Sequence, residues 1–403
     1  MAIISETSDN VSYSGGPSKN QKVVKEEEYQ DEKAKEDDQE EEEVENLDHV
    51  TPYIPEELCE ITVARVQRCH YPRLSLLSKA FRDVISSEQL FVTRSDLGVT
   101  EPVLYTLISS PPFDPPSWYI LHRSNISLRL SRVTSLPPMF PGCTAVTIGH
   151  KIYVMGGCTG VNQPIKTVIV IDCRFHKWEC VKSMKRERCY AASGVIDGKI
   201  YVVGGRKKRY NDWVEVFDVE NGVWETRTWS SVPDPSDCNS SMPGGGFVTS
   251  VVMQDRIYIL DAMRGLVYEP RQGTWQSWEL GSKLMYFWRK PCCVIEDLLY
   301  CFDPRCVLRH PILVYDPDEM VWSPLKGVNR LPYLKYFECK MANLGGKLMV
   351  FGTTHRPYND TWCIEIVLER RERGEIWGKV VSVTPVLRSE NSPYIDLCSS
   401  VTF

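Results

Sequence analysis

The chain has 403 residues, 42% hydrophobic and 25% charged, the balance of a soluble globular protein long enough for more than one domain. No apolar run approaches the ~20 residues that cross a bilayer, so no segment reads as a membrane-spanning helix and no membrane partner is expected. Fifteen cysteines, with no cationic-plus-apolar leader and no Cys-x-x-Cys pair, predict a reducing compartment, cytoplasmic and/or nuclear, rather than a disulfide scaffold.

Residues 1–50 differ in kind from the rest. They hold sixteen Asp and Glu against five Lys, a net −11, so the remainder of a chain of net −6 carries about +5. Almost nothing apolar accompanies the run Glu40–Glu43, and such a segment cannot bury enough surface to offset its ordering entropy. It is expected to be a disordered acidic tail. Its sign, opposite to that of the folded remainder, suits either a simple aid to solubility or a transient cover, residues 26–45 shielding the loops that carry Arg206–Arg209 and Arg289-Lys290 against acidic partners.

Between residues 51 and 98 the pattern turns helical. Ile54-Pro55-Glu56-Glu57-Leu58 has Pro early and carboxylates in the first turn, facing the positive end of the helix dipole. Leu58, Ile61 and Val66 give one apolar stripe, which Tyr71-Pro72 is expected to break. Leu74, Leu77, Phe81 and Ile85 then fall at i, i+3, i+7 and i+11, one face of a single helix. A unit of about 45 residues leans on a partner to stay folded; it is either a cap over the following domain or a docking module. The run Ile54-Pro55, Leu58, Tyr71-Pro72, Leu77-Ser78-Lys79-x-Phe81-Arg82, closing near Leu90 and Arg94, resembles the F-box, with Ile54 where Leu is commoner.

Val103 to Ile108, Trp118 to Leu121 and Ser127 to Val133 read as three strands separated by Pro-rich turns. A repeat follows. Ile152-Tyr153-Val154-Met155-Gly156-Gly157 leads to Val168–Ile171, Asp172, and Trp178 six residues on. The order recurs at Ile200–Gly205, Val214–Asp218 and Trp224, and the offset of six again at Glu269/Trp275 and Asp316/Trp322. Trp separations of 46, 51 and 47 residues are those of propeller blades rather than of a β-sandwich. Four short strands per unit cannot bury both faces alone, so the units stack radially. The glycine pairs and the acid-to-Trp spacing resemble the kelch repeat. Three leading strands and a spare strand at Tyr394–Val401 predict one composite blade, six in all. The expected fold is mainly β: a six-bladed kelch-type β-propeller over 99–403, preceded by the small all-α unit over 51–98 and the acidic tail.

An F-box followed by kelch repeats is similar to the plant F-box/kelch-repeat proteins. The resemblance implies a substrate-recognition subunit of a Skp-cullin-F-box type ubiquitin ligase, with no catalytic residue or cofactor of its own. Ile54, Pro55, Leu58, Ile61, Leu74, Leu77, Ser78, Phe81 and Arg82 would then face a Skp-type adaptor, with the cullin beyond it. The alternatives are a kelch scaffold outside any ligase, or a propeller enzyme: a sugar oxidase with a His, Tyr and Cys metal cluster, or a glycosidase with paired carboxylates. The seven histidines include no His-Glu-x-x-His, and Cys301, Cys306 and His310 are only loosely spaced for a metal, so no metal is expected. Gly244–Gly246 precedes a strand, not the helix N-terminus that a phosphate cradle needs.

The loops after the glycine pairs and those joining blades are basic with interleaved aromatics. Arg186, Arg188, Arg206, Lys207, Lys208, Arg209, Tyr210, Trp288, Arg289, Arg305, Tyr336 and Arg356 are the candidate target-binding residues. They suit an acidic or phosphorylated protein; about +5 on so large a domain is too modest to favour nucleic acid.

Overall fold

The computed structural model describes residues 55–403 apart from 111–113, 124–126, 160–162, 206–212, 228–248, 262–263, 280–281, 330, 333, 336–338, 355–359, 372–373 and 390–392. The acidic segment lies outside them, and so does its expected role as a cover. Pro55 precedes helix α1 (Glu56–Ala64), its carbonyl accepting from the N–H groups of Leu58 and Cys59 at 3.0 Å. A 3-10 turn, Arg68–His70, leads into α2 (Tyr71–Leu77), where Pro72 sits in the first turn and opens the helix instead of only ending the last one. The single helix expected from Leu74 to Ile85 is two. Ser78 is extended (φ −153, ψ 161), and its hydroxyl accepts from the Phe81 N–H to cap α3 (Lys79–Ile85). Helix α4 is Gln89–Asp96.

The strands follow in chain order: β1 (Pro102–Ser110), β2 (Asp114–Arg123), β3 (Leu128–Arg132); then β4 (Thr144–Ile148), β5 (Lys151–Met155), β6 (Val168–Asp172), β7 (Lys177–Val181). The next blade is β8 (Ala192–Ile196), β9 (Lys199–Val203), β10 (Val214–Asp218), β11 (Val223–Arg227), and the third β12 (Thr249–Met253), β13 (Arg256–Leu260), β14 (Arg264–Glu269), β15 (Thr274–Glu279). After a short helix α5 (Lys283–Phe287) come β16 (Cys292–Ile295), β17 (Leu298–Phe302), β18 (Ile312–Asp316), β19 (Val321–Pro324), and then β20 (Lys340–Leu344), β21 (Lys347–Thr353), β22 (Thr361–Arg370), β23 (Ile376–Leu387). The last strand, β24 (Tyr394–Thr402), joins the first three in the order β24-β1-β2-β3. Six four-stranded antiparallel sheets result, and the composite blade is as expected. The innermost strands β4, β8, β12, β16, β20 and β24 neighbour one another in a closed ring.

The hairpin geometry explains the offset of six. Asp218 pairs across with Val223 after a four-residue turn, so Trp224 stands opposite Phe217. The Asp218 carboxylate accepts from the N–H groups of Glu220 and Asn221 at 3.1 and 3.0 Å, holding the turn. Asp316 does the same for Asp318 and Glu319. Where the facing residue is aromatic the Trp ring packs on it, at 4.9 Å between centroids for Phe217–Trp224 and 5.2 Å for Tyr315–Trp322. Trp224 and Trp322 donate back to the Lys182 and Lys283 carbonyls of the preceding connection. In the first blade the facing residue is Ile171, and Trp178 is exposed. Gly156 is required by its surroundings: its φ is +66, and a Cβ there would lie 2.3 Å from the Arg188 carbonyl oxygen.

The helical unit shares one apolar core with the propeller. Val63, Tyr71, Leu90 and Phe91 pack with Trp118, Cys173, Val401 and Phe403 of the composite and first blades. Arg94 fastens the joint. One of its terminal nitrogens donates to the Ala64 and Val66 carbonyls and to the Tyr71 hydroxyl at 2.8–2.9 Å, and the other meets the Val99 carbonyl and Glu101. Arg68 reaches the Cys173 and Arg174 carbonyls at 2.7 Å. Both belong to the turn between β6 and β7, so the helices sit on the face made by the turns joining first to second and third to fourth strands. No helix among the described residues is long and apolar enough to cross a membrane, and the described cysteines form no disulfide.

Candidate functional site

The expected adaptor residues divide by direction. Leu58 and Ile61 on α1 and Leu77 at the end of α2 are exposed, and Leu76, which the helical spacing did not single out, is more exposed still, at 80% against 71% for Leu77. Leu74 and Phe81 instead pack inward against the shared core, because the break at Ser78 turns α3 relative to α2. Arg82 donates to the Ser75 carbonyl at 3.1 Å and links the two helices. Ile54 lies outside the described residues.

The loops after each second strand and those between blades emerge on the opposite face, where the target residues were expected. Two of those expectations are corrected. Arg188 is 1% exposed and is a stitch between blades: its carbonyl accepts from Gly157 at 2.9 Å, while its guanidinium donates to Glu215 at 2.9 and 3.1 Å and to the Gly204 and Trp213 carbonyls. Glu215, itself buried, also accepts from the N–H groups of Lys185 and Arg186 at 2.6 and 3.2 Å, which fixes that connection. Trp288 is 4% exposed and packs with Leu284, Met285 and Cys292, since Ser282 caps α5 through the Met285 N–H and winds the segment into a helix. Arg289 turns back onto the Tyr286 and Phe287 carbonyls at 3.2 Å. Arg186 and Arg305 are exposed on this face. Arg206, Lys207, Lys208, Arg209, Tyr210, Tyr336 and Arg356 fall outside the described residues.

At the centre of the same face the inner strands begin, and they bring together groups that loop composition did not single out. The Lys290 side chain is exposed, but loss of water around its ammonium and then the charge of Lys340 push that group down to about 8, and burial also lowers Lys340. Lys340 stands 5.7 Å from the Tyr394 ring centroid. Asp396 occupies an irregularity in the β1–β24 pairing, with one carboxylate oxygen buried and unpartnered; burial raises its carboxyl against the opposing effects of Ser109 and Lys340. A hydroxyl pair, Thr144 and Ser193 at 2.5 Å, continues the rim. Hydrogen bonding from Cys301 favours the Cys292 thiolate over its neighbour's, although burial opposes it. Two ammonium groups against the one carboxylate of Asp396 give this mouth of the central ring an excess of positive charge. Among the described residues no three His, Cys, Asp or Glu side chains gather as metal ligands; Cys301 is buried in β17 while Cys306 is exposed.

Residues 105–387 match the kelch-repeats domain family described as FKB95. An F-box/kelch-repeat protein of Arabidopsis thaliana is 59% identical over the whole of both chains. An F-box/LRR-repeat/kelch-repeat protein of the same plant is 51% identical over the whole of both, and another F-box/kelch-repeat protein 50% identical over 89% of this chain and 94% of its own. With a helical unit seated on one face of a six-bladed propeller and this agreement along the full length, the chain belongs to the F-box/kelch-repeat protein family.

Proposed function

We propose that the chain is the target-recognition subunit of a Skp-cullin-F-box type ubiquitin ligase. The helical unit docks a Skp-type adaptor and through it a cullin, and the loop face with its channel mouth holds the target protein. The observation that carries this reading is the exposure of Leu58, Ile61, Leu76 and Leu77 on α1 and α2, turned to solvent while Val63, Tyr71, Leu90 and Phe91 pack into the core shared with the propeller; Val92 and Leu97, on and just after α4, are exposed as well. So many large apolar side chains on so small a unit mark a protein-binding surface. Its position on the face opposite the loops leaves both surfaces accessible at once.

The cations of the loop face, Arg186, Arg305, Lys290 and Lys340, favour a target segment that is acidic or phosphorylated. Ubiquitin transfer is then the work of the partners.

The test is co-purification of adaptor and cullin with the full chain and with Leu76→Asp/Leu77→Asp. Both side chains are exposed, so the variant keeps its melting temperature and loses the adaptor. The pair Leu77 and Phe81 suits this less well, because Phe81 belongs to the core. Undiminished capture of the adaptor by the double variant would remove the docking assignment.

A further inference from the structure

A cleft of about 600 Å³ opens between the helical unit and the turn face of the propeller, within the size range of small-molecule sites. Its walls are mostly apolar, with Ile85 and Phe91 from the helices and Val103 and Leu344 from the strands. Its charged lining is Arg68, Arg123, Arg174 and Lys347 against the single carboxylate of Glu101.

Neighbouring carboxylates compensate only part of that charge. Arg174 is matched by Asp172, at 3.1 and 2.8 Å, and also by Glu88 at 3.4 Å, and Glu101 is matched by Arg94 at 3.1 Å. Arg123 and Lys347 share one oxygen of Glu365, at 2.7 and 2.9 Å, so two cations stand against one buried carboxylate. No carboxylate among the described residues pairs with the Arg68 guanidinium. One of its terminal nitrogens serves the Cys173 and Arg174 carbonyls, its plane lies 4.4 Å from the Phe403 ring centroid, and its other terminal nitrogen is buried without a partner. The cations without a carboxylate of their own are therefore Arg68 and one of the Arg123/Lys347 pair, both beside an apolar wall. Their field is felt by the two histidines there: burial and then the Arg68 charge hold His122 below its usual range and His176 down to about 4.

We propose that this cleft binds a small organic anion, an apolar ring or chain bearing a carboxylate, with its body on Ile85, Phe91 and Val103 and its charge toward Arg68 and the Arg123/Lys347 pair. A peptide segment is too large for the volume, and a bare inorganic ion leaves the apolar wall uncovered. Such a ligand touches the helices and the propeller together, so it stiffens the joint between the adaptor-docking unit and the target-binding domain. The inference stands apart from the receptor reading, since it depends on neither adaptor nor target.

The test is calorimetric titration of the full chain with 2-naphthoate and with its neutral analogue, 2-naphthamide. Naphthoate should bind saturably and raise the melting temperature, and the amide should bind at least about ten-fold more weakly. Arg123→Gln leaves Glu365 paired with Lys347, so the fold is kept while the cleft loses one charge. It should weaken naphthoate by about five-fold or more and leave the amide unchanged. Arg68→Gln should do the same where the variant folds; Arg123→Gln decides the matter where it does not. Absence of saturable binding, equal affinity for the two probes, inorganic phosphate binding as tightly as naphthoate, or unchanged naphthoate affinity in Arg123→Gln would each overturn the proposal.

Discussion

Replacing Arg188 by Met separates a structural role for this residue from a target-binding one. Arg188 and Glu215 are 1% and 0% exposed, and the guanidinium supplies two hydrogen bonds to Glu215 and two to the Gly204 and Trp213 carbonyls. Met fills similar space but leaves the carboxylate buried, with the Lys185 and Arg186 N–H groups still donating to it. Removing one partner of a buried pair costs about 3–5 kcal/mol. The unfolding entropy of about 2.1 cal/mol/K per residue, over roughly 350 residues, is about 0.7 kcal/mol/K, so the melting temperature should fall by about 4–7 °C. The double variant Arg188→Met/Glu215→Gln removes the stranded charge and should recover part of that loss. Arg186→Met, on the exposed neighbour, should melt within about 1 °C of the parent. Scanning calorimetry of the four proteins checks all three expectations. An Arg188→Met variant that melts with the parent but binds an acidic target peptide less tightly would refute the stitch and return Arg188 to the target face.

Deleting residues 392–403 removes β24, strips β1 of one of its two partners and opens the inner ring between β20 and β4; the product should aggregate or melt far below the parent, and size-exclusion chromatography with an unchanged melting curve would show the strand to be dispensable. Gly156→Ala should destabilise more than Gly149→Ala. Both have positive φ, costing about 1–2 kcal/mol each for a side chain, but only at Gly156 does the new Cβ meet backbone, and equal denaturation midpoints would contradict this. His176 is neutral in the fold, its imidazole held down to about 4 by burial first and then by the charges of Arg68 and His122. Its contribution is present above pH 6.5 and lost as pH falls toward 4, because the unfolded chain takes up the proton first. Between pH 7 and 4 the parent should lose up to about 3 kcal/mol more than His176→Gln in urea titrations, and parallel profiles would exclude the effect.

The propeller was legible because its signal is geometric. An acid that closes a four-residue turn and a Trp two positions into the return strand must recur at one offset in every blade that uses the device, whatever else drifts. The composite blade followed from counting strands. The helical unit was legible in kind but not in phase: one hydroxyl, that of Ser78, ends a helix that the apolar spacing alone continues, and it exchanges Phe81 for Leu76 on the outer surface. On the target face, charge in a loop was read as charge in solvent. That fails at Arg188 because its partner Glu215 lies 27 residues away on β10, a separation that no local pattern encodes. Lys340 went unnoticed for the converse reason, since a single Lys opening a strand looks like an ordinary edge and only ring closure brings it near Lys290 and Asp396. The cleft is a product of two units meeting, and neither sequence segment carries it alone.

The pairing of β1 with β24 also sets a timetable. During synthesis β1 emerges early and waits for a strand made almost three hundred residues later, so the ring stays open until nearly the whole propeller has left the ribosome. Val401 and Phe403, at the end of that late strand, complete the apolar bed on which Phe91 and Arg68 of the helical unit rest. The helical unit, made before the propeller, is therefore seated only after the propeller closes. A nascent chain interrupted before β24 presents its helices without their support, and translation through Phe403 becomes a condition for seating them.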